Sequence, residues 1–283
     1  MSSRKAAMFC SVAALAVGIN LTSWVAPLLV LPLNLLVLWT LKNAKFGNIL
    51  SSVVGILLPL ALLICTNHLF AERITATMFP LSPSRLFLIL IMPLTFVLTL
   101  GGTRRAVRAT HVFFWFIAGT LALMLLLSVS AINPTYLLPG VSRETFSLDN
   151  IGALGILIIF ALGTFLRVDD PEKKNKSLLT FMVFTTFAVS LLALMSAGIL
   201  GPNMVTRLNN PLFSAAKSLM IPGVMERVDA AVAALWLMAD VTLMVFLFLT
   251  ALQNLREVFG VRKNRLASLI LHAVVFAGAW LIS

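Results

Sequence analysis

Apolar residues in this chain come in long unbroken runs separated by short polar segments, not in the apolar-polar alternation of half-buried strands. The runs fall at 6–20, 24–41, 50–70, 84–101, 110–130, 150–166, 178–201, 228–251 and 265–282. Most approach the roughly 20 residues that a helix needs to cross a hydrocarbon layer. The pattern predicts an all-α integral membrane protein, a single transmembrane domain over 1–283 with about nine crossings. The stretch 6–41 is read as two crossings because Asn20-Leu21-Thr22-Ser23 interrupts it. The first of these is short. It reads alternatively as a signal peptide, with Arg4-Lys5 ahead of an apolar core and Ala14-Leu15-Ala16 as the cleavage-like site. A third reading is a half-helix that unwinds at Gly18-Ile19-Asn20, as helices lining transporter sites do.

The run that opens after Pro222 stands out. Glu226-Arg227-Val228-Asp229 precedes it, and Asp240 lies near its middle. An ionisable residue at membrane depth costs about 2.5–3.5 kcal/mol on insertion scales and faces a cavity or a partner more often than lipid. Asp229 and Asp240 are eleven positions apart (240 − 229), close to three helical turns, so both lie on one face together with Ala233 and Trp236. That face is expected to point into a bundle.

The connections carry their own signals. Segment 71–83 holds two prolines, and segment 131–149 holds Asn133-Pro134 and Leu137-Leu138-Pro139-Gly140, which break helices. Within the long connection 202–227, the proline-bounded stretch 211–222 predicts a short helix, either at the outer surface or dipping into the bundle. The segment 167–177, RVDDPEKKNKS, reads as a solvated connector.

Composition agrees with a membrane protein. The chain is 60% hydrophobic and 11% charged, with mean hydropathy +1.03, where soluble domains carry about 25% charged residues. A net charge of +11 would suggest nucleic acid in a soluble protein. Here the basic residues sit in short loops, so the lipid bilayer is the expected environment and no nucleic-acid partner is expected. With the N-terminus cytoplasmic, 15 of the 21 Lys and Arg residues fall on inner segments and 6 on outer ones, as the positive-inside rule requires. Reading 1–41 as one crossing weakens the split to 13 against 8.

Candidate chemistry is sparse. Cys10 and Cys65 both lie in apolar runs and offer neither metal spacing nor a disulfide framework. No phosphate-binding glycine loop, nucleophile elbow or zinc motif occurs, and His68, His111 and His272 are far apart. No cofactor, metal site or enzymatic activity is expected. Asp240 reads as a holder of a proton or cation, as the partner of a ligand ammonium, or as an internally bonded structural acid. Glu226, Arg227 and Asp229 read as a helix start, with acids on its positive end and an ion pair. Thr66-Asn67-His68 reads as an interfacial polar cluster or an entry path, and His272 as a hydrogen-bonded helix contact.

The order of several short motifs resembles a known family. Phe79-Pro80-Leu81-Ser82-Pro83 precedes a span that ends in Gly101-Gly102-Thr103-Arg104-Arg105. The next span ends in Asn133-Pro134 and Leu137-Leu138-Pro139-Gly140. Asn210-Pro211-Leu212 then leads through Ile221-Pro222-Gly223-Val224-Met225 to Glu226-Arg227-Val228-Asp229-Ala230. Over roughly 24–282 the chain resembles the B subunits of spore germinant receptors, the endospore-germination permeases of the amino acid/polyamine/organocation superfamily. The E-R-V-D-A element is the most specific of these signals.

The resemblance implies a LeuT-like permease architecture of two inverted five-helix repeats, with ligand near the midplane against broken first and sixth helices. It implies a nutrient ligand such as an amino acid, lipoprotein and soluble-domain partner subunits, and the inner spore membrane. On that frame Gly152, Ala153 and Gly155 would open the sixth helix as an unwound, ligand-binding segment, with Gly18 and Asn20 as counterpart on the first; close helix packing is the alternative for these small residues. The chain departs from the family pattern. It shows nine spans where members have ten, so the second repeat would lack its final helix or borrow one; its first helix is abbreviated, and Asp240 matches no family motif. Its sixth span, Asn150-Ile151-Gly152-Ala153-Leu154-Gly155, lacks the acid that often follows a glycine there. The expected function is a nutrient-sensing receptor subunit. The alternatives are a proton- or cation-coupled small-solute transporter and a scaffold subunit that binds no ligand.

Overall fold

The computed structural model describes residues 27–28, 32, 48–137, 171–208, 210–219, 228–259 and 264–283. The expected spans at 6–20 and 150–166, nearly all of 24–41, and the loops 138–149 and 220–227 lie outside the described residues.

What is described is helical, with no strand among the described residues. The helices are α1 (Asn48–Thr77), α2 (Ser84–Leu100), α3 (Gly102–Ala131), α4 (Pro171–Leu200), α5 (Pro202–Val205), α6 (Pro211–Ser218), α7 (Val228–Phe259) and α8 (Asn264–Ile282), with a 3-10 turn at Pro134–Leu137. Stretches in α3, α7 and α8 are long and apolar enough to cross a membrane.

Hydroxyl groups inside these apolar helices bond to their own backbone. Thr66, Thr99, Thr110, Thr242 and Ser196 each donate to the carbonyl four residues earlier, at 2.6–2.9 Å. A hydroxyl satisfied in this way needs no partner from another helix, so scattered Ser and Thr do not interrupt a span. Pro59 and Pro93 sit inside α1 and α2, a placement that bundled membrane helices tolerate.

The turns follow from particular residues. The chain reverses between α2 and α3 at Gly101-Gly102, where Gly102 takes φ 71°. After α3, the Asn133 side-chain oxygen accepts from the Thr135 amide at 3.1 Å and its hydroxyl at 2.7 Å, and the Asn133 amide donates to the Gly198 carbonyl at 2.9 Å. The ends of α3 and α4 are thereby tied together. Gly201 then turns the chain at φ 81°, ψ 151°, a region that residues with a Cβ rarely enter, and Pro202 starts α5. Gly201→Ala is expected to lower stability by about 1–3 kcal/mol. The nearest atoms to a Cβ there would be those of the Tyr136 ring, at an ordinary 3.7 Å, so the loss comes from the backbone. Thermal melting of the reconstituted protein reads it.

Among the described residues two cores form, and α7 runs through both. Leu63, Phe70, Leu88, Ile91, Ile117, Leu271 and Val275, from α1, α2, α3 and α8, surround the α7 residues from Ala239 to Leu252. Met124, Val189, Leu192, Met195, Leu212 and Phe213, from α3, α4 and α6, surround Val232, Ala233 and Trp236. The most apolar window of α7 is 71% buried, against 17% for α3 and 28% for α8. Those two helices turn most of their apolar surface outward, as lipid-facing helices do, while α7 is the axis.

The short helix expected within 211–222 is α6, and it dips into the bundle. Leu212, Phe213, Ala215 and Ala216 are buried against α4 and α7. At the other side of α7, α8 approaches α1 closely at Gly278, where a Cβ would lie 2.7 Å from Ile64 Cδ1. Small residues at such contacts are how membrane helices come together. The Arg85 guanidinium lies over the Trp280 ring, 5.1 Å from its centroid, and pins α2 to α8.

A buried ion pair at the seam of two cores

The pattern of apolar residues ends the third span at 70 and leaves Glu72 and Arg73 in a loop. In the structure α1 continues to Thr77. Both charges are accommodated on the helix. Glu72 lies 3.4 Å from His68, one turn earlier. Arg73 reaches across to α7, where its Nη1 donates to Asp240 Oδ2 at 3.0 Å. The Thr75 and Thr77 hydroxyls donate to the carbonyls of Ala71 and Arg73 and finish the last turn. Arg73, counted as an outer-loop charge from the sequence, is thus a bundle residue with its side chain only 13% exposed.

Asp240 is 4% exposed by side chain. It lies roughly 18 Å along α7 from Val228, at 1.5 Å per residue. Arg73 lies only about one turn from the end of α1. Along α7 the acid follows Trp236, the last residue of the α4–α6 core, and sits between Ala239 and Val241 of the α1–α2–α8 core. The ion pair therefore stands at the seam between the two cores.

The face predicted for α7 is inward. Ala233, Trp236 and Asp240 are all buried, with Phe213 of α6 6.3 Å from Trp236, centroid to centroid. Asp229 falls on the first turn of α7. Gly18, Asn20, Gly152, Ala153, Gly155, Glu226 and Arg227 lie outside the described residues. Among the described residues, no group of three or more His, Cys, Asp or Glu side chains is placed to share a metal ion.

The other polar residues singled out from the sequence make local bonds. Asn67 is fully buried and its amide donates to the Leu63 carbonyl at 2.8 Å. His272 Nδ1 lies 2.8 Å from the Ser268 carbonyl. A carbonyl only accepts, so this nitrogen carries the proton. The ring stacks on Phe248, with 3.6 Å between centroids and 6° between planes, and meets the edge of Phe96. His272 is a helix contact within the core.

The arrangement can hold two opposite charges in a bundle interior and join α1 to α7 through them. Arg73 is the functional candidate that pattern reading missed. Its signal was a lone base just beyond one span, matched by a lone acid inside another.

Comparison with known proteins agrees with the motif order. No curated protein matches the chain. A model of the spore germination protein family matches residues 33–283, which is 251 of the 283 positions (283 − 33 + 1). With apolar, membrane-length helices and a match over most of its length, this integral membrane protein belongs to the spore germination protein, or spore permease, family.

Proposed function

We propose that the chain is the membrane subunit of a spore germinant receptor. It binds a small nutrient such as an amino acid near the bilayer midplane and triggers germination without covalent chemistry or a cofactor. The bundle is a LeuT-like permease of about nine crossings, with the N-terminus cytoplasmic and the protein in the inner spore membrane. Gly18 and Asn20 on the first helix, and Gly152, Ala153 and Gly155 on the sixth, supply the backbone groups for ligand. A lipoprotein and a soluble-domain membrane subunit receive the signal.

The observation that carries this reading is the family match, joined to the position of Asp240. A buried acid at the seam of two cores is where a small change of partner alters how the cores meet. The test is germination of spores lacking this chain, challenged with single amino acids and followed by loss of optical density. Loss of response to one or a few amino acids, restored by the intact chain, is the expected result. An unchanged response to every nutrient contradicts it.

A second reading starts from the same buried carboxylate: a proton- or cation-coupled transporter of small solutes, with Asp240 as the coupling acid, which requires that Arg73 let go of it during the cycle. Vesicles holding the chain would then accumulate labelled amino acid under an ion gradient, and Asp240→Asn would abolish the uptake.

A further inference from the structure

A carboxylate inside a membrane bundle needs a positive partner, because stranding the charge there is costly. Four kinds of partner are chemically available: a proton, a metal ion, a free ammonium, or a cation of the protein itself. The geometry at Asp240 selects the last. Arg73 Nη1 is 3.0 Å from Oδ2, and both side chains are largely buried. A guanidinium stays charged at every physiological pH, so this partner does not come and go by losing a proton, as a lysine ammonium can. It is also covalently held to α1, within contact distance of the acid, and a free cation must displace it to reach Asp240. A displacing monovalent cation would in turn leave the guanidinium buried and unpaired. A cation alone therefore solves one charge and creates another.

We propose that Arg73 is a specificity-determining residue: a tethered cation that occupies the counter-ion place at Asp240 and closes it to free Na⁺, K⁺ and simple amines. Asp240 in the intact chain is then not a cation-coupling site. Arg73 fixes the chemistry of anything that enters between α1 and α7. Such an entrant carries both a cationic and an anionic group, one for each member of the pair. The proposal concerns the ion pair and does not depend on which nutrient the chain senses.

The test uses the full chain in lipid nanodiscs. Thermal melting is followed while NaCl, KCl, methylammonium chloride or methylguanidinium chloride is titrated at constant ionic strength against a bulky quaternary ammonium salt. The melting temperature of the intact chain, and of Arg73→Lys, is expected to stay flat with all four cations. Arg73→Gly vacates the space of the side chain and is expected to gain a saturable rise in melting temperature. That rise is largest with methylguanidinium and absent in Arg73→Gly/Asp240→Asn. The proposal is overturned if the intact chain shows a saturable shift with any of the cations that Asp240→Asn removes. It is also overturned if folded Arg73→Gly responds to none of them. Should Arg73→Gly not fold, the comparison of the intact chain with Asp240→Asn still decides. A nutrient response lost or kept in spores does not alter either outcome.

Discussion

Asp240→Ala is expected to destabilise the folded bundle by about 3–5 kcal/mol, the range for removing one member of a buried ion pair. The loss arises less from the missing attraction than from what stays behind. The Arg73 guanidinium is held inside the bundle at 13% exposure, with its one counter-charge among the described residues gone. Arg73→Ala strands the carboxylate of Asp240 in the same way, in a more enclosed place. Replacing both charges, as in Arg73→Met/Asp240→Leu, is expected to be neutral or to stabilise by about 1–4 kcal/mol, because no charge then needs a partner. Denaturant titration of the reconstituted protein reads all three. The order predicted is both singles far below the intact chain and the double replacement at or above it. Under the receptor reading, spores carrying the double replacement would then assemble the subunit but fail to respond to nutrient.

Phe248→Ala is expected to cost about 3–5 kcal/mol, as large-to-small changes of a core aromatic do. Phe248 is fully buried on α7 and is among the largest side chains with no exposure. Its ring is stacked on His272 of α8 at 3.6 Å. In a lipid environment the driving force between helices is packing contact rather than escape from water. Truncation removes those contacts outright and leaves a void that the α7–α8 interface fills only in part. Phe248→Leu keeps most of the volume and is expected to lose much less. The same denaturant titration distinguishes the two, and near-equal losses would show that this position is not a packed core site.

What could be read from residue order differs from what could not, for physical reasons. A run of apolar residues bounded by polar ones is a local signal, so α2, α3, α7 and α8 stood out, and the one-face placement of Ala233, Trp236 and Asp240 followed from the helical repeat alone. The proline start of α6 was legible because proline restricts the backbone by itself. Pattern reading failed where a distant partner changes the local preference. Glu72 and Arg73 look like the end of a span, yet α1 continues through them: Glu72 stays exposed beside His68, and Arg73 finds its partner in Asp240 on a distant helix. The burial of α6 was one of two placements that its sequence left open. Its sequence is only partly apolar, and α4 and α7 decide that Leu212 and Phe213 face inward. Motif order pointed to the family, whereas the contact between positions 73 and 240 spans most of the chain and appears in no short motif.

The account rests on α7 as a buried axis joined to α1 by the Arg73–Asp240 contact. A double-mutant cycle with Arg73→Gln, Asp240→Asn and the pair, read as unfolding free energy in one lipid composition, measures that contact directly. Residues in contact show coupling of about 0.5–3 kcal/mol, whereas distant sites add to within about 0.3–0.5 kcal/mol. The account predicts coupling at the upper end of the contact range, with the pair costing far less than the sum of the singles. Simple additivity would place the two charges apart and contradict it.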